Sequence, residues 1–381
     1  MVVLTTERVK ELLKEGKKVA EIAKLYNVTR QAIYHHINRI KAQQKSCLTF
    51  PKPKKDYNSL IDWKVYNEGL VKRGEILLDF DLFNDWDEQL EVINENKTGR
   101  PYEYPNSFIE FLFQLKCYFK IDYRSLEGIT RKLIVFIKPA KKAPDYTTLE
   151  IRFSSLRCTL EVYQGNQVVQ EIAGDSSGLK TTNRGEYRMN KYQGKRKTCL
   201  KLHIMVNIES RQVVSCSVTK EAVRDHQEMD KLISEAERYG AIDKGLFDAG
   251  YDYYNNYWQL AQRGIKPVIR PRRTMELEKI KQEIEKGKEE AEKEGRGRFL
   301  RLETLKEYLE DEEKWKKENG YGQRWKSEGR YSVFKRLFGE YVFSKKIGNQ
   351  EKEATIKVNL MNLFTTFTVG AFNKEVKMLI K

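Results

Sequence analysis

Between residues 168 and 270 the chain changes hydrophobic period again and again, which restricts its fold more than any other feature. Five short runs rich in Val, Ile and Leu (168–173, 199–208, 212–219, 245–247 and 266–270) are bounded by Gly, Ser, Asn and Asp, as strands are. Two stretches at helical spacing, 226–239 and 253–263, fall between the third and fourth runs and between the fourth and fifth. The order is therefore β-β-β-α-β-α-β. Three successive strands joined by turns pair antiparallel, and strands joined through helices pair in parallel.

That order is the ribonuclease H-like topology. The chain reads as an α+β or α/β multidomain protein with five parts. Residues 1–50 are an all-α helix-turn-helix unit, 51–56 a basic linker, and 57–140 a helical scaffold or dimerisation region. Residues 141–274 and 319–381 make the mixed-sheet core, interrupted by a charged insertion over 275–318. The linker, Pro51-Lys52-Pro53-Lys54-Lys55, is stiff and cannot continue a helix. The scaffold contains 108–119, FIEFLFQLKCYF, too short to span a bilayer and so predicted to be a buried helix. In the insertion Glu and Lys recur at i,i+4, and Gly295-Arg296-Gly297 breaks it into a helical hairpin.

The N-terminal unit carries Ala23, Asn27, Val28 and Ile33 at the spacing of a helix-turn-helix. A small residue lets the two helices cross closely, and Asn tolerates the turn between them. Arg30, Gln31, Tyr34 and His35 then face outward, placed to enter a major groove. Lys and Arg outnumber Asp and Glu by 13 to 5 over residues 1–56.

Across all 381 residues, 71 basic side chains face 55 acidic ones, a net charge of +16. A chain so basic calls for an anionic partner. No apolar run is long enough to cross a membrane, and the N-terminus has no signal-peptide pattern. Five dispersed cysteines suit reduced thiols, and four histidines make no zinc-finger spacing. Secreted, membrane and zinc-finger classes are set aside, and a cytoplasmic, nucleoid-associated protein is expected.

The chemistry concentrates at three acids. Asp175 is expected to end the first strand and Asp248 the fourth, and that topology places the first and fourth strands side by side. Glu328 falls on a helix predicted over 321–339, which packs beside them. Three hard oxygen donors suit Mg²⁺, with Mn²⁺ able to substitute, and two such ions can clamp an in-line displacement at phosphorus. Asp252 reads instead as the N-cap of the following helix. Around Glu328, Tyr321, Arg324 and Lys335 stand at i−7, i−4 and i+7, on one helical face. The cations can hold a phosphate and the ring can stack on a sugar or base. A simple salt bridge from Arg324 or Lys335 to Glu328 is the alternative.

Tyr321, Arg324, Glu328 and Lys335 at these separations resemble the Tyr-Arg-Glu-Lys signature of DDE transposases encoded by insertion sequences. The runs 175–180, DSSGLK, and 248–252, DAGYD, are similar to that family's two aspartate motifs. The resemblance implies that Asp175, Asp248 and Glu328 form the catalytic, metal-binding triad. It further implies an enzyme that binds the terminal inverted repeats of its element, cuts them under two Mg²⁺ ions, and joins the 3′-hydroxyls to target DNA. Two DNA ends must be held together, so a homodimer or higher oligomer on DNA is expected. A ribonuclease H-like nuclease without strand transfer, and a catalytically dead DNA-binding regulator, are the alternatives. Here charged helices fill the gap before the glutamate, where many relatives carry a β-rich insertion. A basic zone after Asp175, with Lys180, Arg184, Arg188, Lys195, Arg196 and Lys197 among eight cations facing the single acid Glu186, is expected to grip DNA phosphates. His226, at the start of a helix after Arg224-Asp225, reads as a packed or cap-associated histidine, with a general acid/base or a phosphate contact as the alternative.

Overall fold

The computed structural model describes residues 6–15, 17, 19–26, 28, 33, 61–138, 140–163, 169–181, 199–273, 276–290 and 296–369. The chain divides into two units, Met1–Leu60 and Ile61–Lys381. In the first, α1 (Thr6–Lys14) and α2 (Val19–Leu25) share a small core of Val9, Leu12, Ile22, Ala23 and Ile33. The Val28 N–H donates to the Ala23 carbonyl at 3.0 Å, closing the turn that the sequence pattern predicts. Arg30, Gln31, Tyr34 and His35, and the linker 51–56, lie outside the described residues.

The second unit is built on a five-stranded sheet of order β3-β2-β1-β4-β5. Its strands are β1 (Val169–Lys180), β2 (Cys199–Asn207), β3 (Val213–Lys220), β4 (Ala241–Phe247) and β5 (Lys266–Ile269). β1–β2 and β2–β3 are antiparallel, and β1–β4 and β4–β5 are parallel. This is the mixed ribonuclease H-like sheet that the alternation predicts. One expectation fails. β1 does not end at Asp175 but continues to Lys180, with Asp175 opposite Ile204. Gly and Ser at 174–178 look like a strand end in isolation, yet β2 supplies hydrogen-bonding partners along the whole stretch.

Alternation along β2 sends Leu202, Ile204 and Val206 to one face and Met205 to the other. On the Met205 face lie Met229, Leu232 and Ile233 of α8 (Asp225–Ala236) and Tyr257 and Leu260 of α9 (Tyr254–Gln262). The opposite face packs on a helical layer. It contains α3 (Trp63–Ile76), α4 (Trp86–Asn94), α5 (Asn106–Phe119), α6 (Tyr123–Ile137), α7 (Tyr146–Ser155), α13 (Trp325–Phe338) and α14 (Ile347–Val369). α5 buries Phe108, Phe111, Leu112 and Leu115, as its apolar run requires. The helices of the region expected as a scaffold or dimerisation region share one core with the sheet. The insertion folds as a hairpin of α10 (Leu277–Glu290) and α11 (Arg296–Glu310), closed by Ile280, Ile284, Leu302 and Leu305, with α12 (Glu312–Glu318) following.

Inside the helical layer Glu353 and Lys357 form an ion pair of 2.7 Å with both side chains fully buried. Glu353 also accepts from the backbone N–H groups of Phe343 and Ser344. Removing one partner strands the other charge in the core, which costs about 3–5 kcal/mol. Lys357→Met is therefore expected to lower the urea midpoint markedly, whereas Lys357→Met with Glu353→Gln recovers part of the loss.

Candidate active site

The parallel register of β1 and β4 sets the centre of the site. Ala173 stands opposite Leu246, so Asp175 and Asp248, each two residues further on, reach the same level of the sheet. Phe247 governs how closely the two strands approach. Its ring occupies the space where a side chain would begin at both Gly174 and Gly245, and a Cβ at either would stand 2.5 Å from it. Gly174→Ala should cost about 1–3 kcal/mol by overpacking, measurable as a lower denaturation midpoint.

Asp248 follows β4 and caps the turn Ala249–Tyr251, accepting from the Gly250 N–H at 2.8 Å. Asp175 accepts from the Ser176 N–H at 2.8 Å. Burial, together with the negative charges of Asp248 and Glu328, pushes the Asp175 carboxyl up to about 6, against the pull of Ser176 and Arg324. Glu328 lies in the first turn of α13, and Arg324, immediately before that helix, pairs with it. A second nitrogen of Arg324 sits 3.9 Å from Asp175. Arg324 therefore bridges two acids, the salt-bridge alternative and the same-face geometry at once. Among the described residues no group of three His, Cys, Asp or Glu side chains is gathered closely enough to hold a metal ion. The donor chemistry nonetheless fits a hard divalent cation: all are carboxylates, and Asp175 carries a repulsion that a cation would relieve.

Other candidate residues are placed unevenly. Tyr321 is buried against Trp315, with ring centres 5.4 Å apart, and does not offer its face for stacking on DNA as expected; Trp325, 53% exposed, is the open ring nearby. The Tyr321 ring packs in a cluster with Ala173, Leu246 and Val268 rather than facing solvent. Lys180 and Lys335 converge on Glu340, at 2.9 and 3.6 Å. Arg184, Arg188, Lys195, Arg196 and Lys197 fall outside the described residues.

Three features escaped the sequence reading. The Tyr331 hydroxyl lies 2.9 Å from the Asp175 carbonyl and 2.7 Å from that of Leu202, pinning α13 to β1 and β2. Asp225, the first residue of α8, pairs with Lys201 at 2.8 Å. A Cβ on Gly250 would stand 3.0 Å from an Asp225 oxygen and 2.9 Å from an Asp248 oxygen, so Asp225 is a fourth carboxylate at this end of the sheet. Asp252 does not cap α9, whose N-cap is Tyr253. Its fully buried carboxylate instead takes two hydrogen bonds of 2.7 Å from Arg301 of α11 and one of 2.8 Å from the Arg272 N–H. An acid just before a helix reads as a cap, and only the fold reveals a partner 49 residues away.

A family model described as a transposase DDE domain matches residues 170–363, just over half the chain. A second transposase DDE domain model matches 71–184, and a helix-turn-helix domain of resolvase matches 4–38. Among solved structures, a Drosophila P element transposase strand transfer complex is 12% identical with a TM-score of 0.29, covering 73% of this chain and 82% of that one. A Mos1 transposase paired-end complex is 10% identical with a TM-score of 0.19, covering 81% and 97%. A simian T-cell lymphotropic virus intasome in complex with a PP2A regulatory subunit is 13% identical with a TM-score of 0.22. This chain covers 63% of the matched chain's length there, and 50% of its own is matched.

Proposed function

The chain belongs to the transposase DDE domain family, and from that premise we propose that it cuts the ends of an insertion sequence and joins them to target DNA. What carries the reading is the meeting of Asp175 and Asp248 at one level of adjacent parallel strands, with Glu328 linked to Asp175 through Arg324, all within the matched segment. Tyr321, Arg324, Glu328 and Lys335 stand as the Tyr-Arg-Glu-Lys signature. Asp175, Asp248 and Glu328 would hold divalent cations, Mg²⁺ or Mn²⁺ and two in number, which when bound polarise the scissile phosphate and activate water or a 3′-hydroxyl.

The protein's own residues provide the frame. Phe247 against Gly174 and Gly245 sets the spacing of the two strands, and Tyr331 keeps the Asp175 backbone from shifting as charge accumulates. Arg324, which lies between Glu328 and Asp175, would meet a phosphate oxygen held at these carboxylates. No side-chain nucleophile takes part, so no covalent protein–DNA intermediate forms. Residues 1–50 recognise the inverted repeats through Arg30, Gln31, Tyr34 and His35. Lys180, Arg184, Arg188, Lys195, Arg196, Lys197 and Lys335 hold the backbone, and a dimer or larger assembly on DNA brings two ends together.

The test is incubation of the purified protein with labelled element-end DNA, target plasmid and Mg²⁺ or Mn²⁺. Nicks with 3′-hydroxyl ends and joined products are expected. Cleavage with no joining would leave a nuclease, and binding with no cleavage a regulator. Protons compete with cations for Asp175, so Mn²⁺ affinity measured calorimetrically should weaken as pH falls from 7 to 5, through the carboxyl's value of about 6.

A further inference from the structure

Directly beside the carboxylates the surface carries a ladder of aromatic rings that no step above uses. The His226 ring stacks on Tyr253 with centres 4.8 Å apart and planes 30° from parallel. Tyr253 meets Tyr254 at 4.5 Å, and the two hydroxyls are 3.2 Å apart. Tyr253 is 39% and Tyr254 52% exposed. Rings left this open add little to folding, since a pair contributes only about 0.5–1.5 kcal/mol beyond burial.

Their location is set by the acids. His226 follows Asp225, and Tyr253 comes five residues after Asp248. Gly250 lies between those two carboxylates, so the ladder springs from the same two segments that carry them. Arg224 and Arg272 stand close enough to His226 to hold its imidazole below the ordinary histidine pKa, after the larger effect of burial. Arg272 is fixed by donating from Nε to the Ala249 carbonyl at 2.7 Å.

We propose that His226, Tyr253 and Tyr254 form a stacking platform for an unpaired nucleobase of the DNA strand whose phosphate lies at the Asp175–Asp248 carboxylates, with Arg224 and Arg272 holding the adjoining phosphates. This rests on the reading of those carboxylates as the cleavage site. The occupant follows from chemistry. Aromatic faces bordered by guanidinium groups suit a flat π-system joined to anions, which is a nucleotide. Within a duplex both faces of each base are covered by neighbours, so only a base that is unpaired or at a strand end can lie on the ladder. The interaction is indifferent to sequence, because every base has a π-face.

The test uses the full chain without metal and two oligonucleotides of one arbitrary sequence. One is a blunt duplex; the other carries a short single-stranded 3′ overhang with 2-aminopurine at the junction. The wild-type protein should bind the overhang DNA about tenfold more tightly than the blunt duplex and quench the 2-aminopurine. Tyr253→Ala should abolish both the preference and the quenching, leaving blunt-duplex affinity unchanged, and Tyr253→Phe should keep both. Tyr254→Ala should reduce the preference in part. A preference and a quench that survive in the Tyr253→Ala, Tyr254→Ala double variant would overturn the platform, as would a wild-type protein that does not distinguish the two DNAs. Metal-dependent cleavage is scored separately. Quenching without cleavage would refute the carboxylate reading while leaving the platform standing, and cleavage without quenching would do the reverse.

Discussion

Asp175→Asn should reduce DNA cleavage and joining by roughly a thousandfold or more, several kcal/mol of transition-state stabilisation, while binding to the element's ends stays within about twofold. The same substitution should make the metal-free protein more stable. Burial first, and the negative charges of Asp248 and Glu328 after it, push the Asp175 carboxyl up to about 6, above the roughly 3.9 of an unfolded aspartate. An acid raised by folding penalises the fold once it ionises. The penalty is small at pH 4 and below, builds as pH rises from about 4 to about 6, and is complete above that. The melting temperature of Asp175→Asn should therefore exceed that of wild type at pH 7.5 and converge with it near pH 4. Loss of activity with a gain in stability would separate a functional carboxylate from a structural one. Equal losses of binding and cleavage, or a drop in melting temperature at pH 7.5, would contradict the assignment.

Arg301→Ala should be among the most destabilising single changes in the second unit. Asp252 is fully buried and receives both arms of the Arg301 guanidinium, so truncation leaves a carboxylate in the interior with no cation, held only by the neutral Arg272 N–H and, at 3.3 Å, the Tyr257 hydroxyl. The expected cost is about 3–5 kcal/mol, read as a shift in the urea midpoint. Because Asp252 ends the segment that begins at Asp248, cleavage should fall as well. The double variant Arg301→Leu, Asp252→Asn should recover most of the stability, since neither residue then leaves an unpaired charge. An Arg301→Ala protein as stable as wild type would mean that the insertion does not brace this segment.

The strands and their order were legible because each is short, apolar and closed by turn residues, and because the interrupting helices keep their own period. The closeness of Asp175 and Asp248 was legible for the same reason, since it follows from strand order alone. What the residues could not declare was pairing over distance. The glycine and serine stretch after Gly174 continues as strand only because β2 runs alongside it. Asp252 carries the signature of a helix cap and is claimed by an arginine from the insertion. Tyr321 sits at the right spacing for an outward ring, yet the chain turns it into a hydrophobic pocket beside Trp315. Tyr331 gives no sign in sequence that its hydroxyl will reach β1.

The order in which the ribosome delivers these parts has a consequence. A nascent chain that has emerged as far as β5 already contains both aspartates, but not α13, whose Tyr331 pins β1 and whose first turn bears Glu328. On the proposed assignment of Glu328, cleavage would therefore be withheld until synthesis has passed Phe338, and a polypeptide released early from its message would carry both aspartates without their third partner.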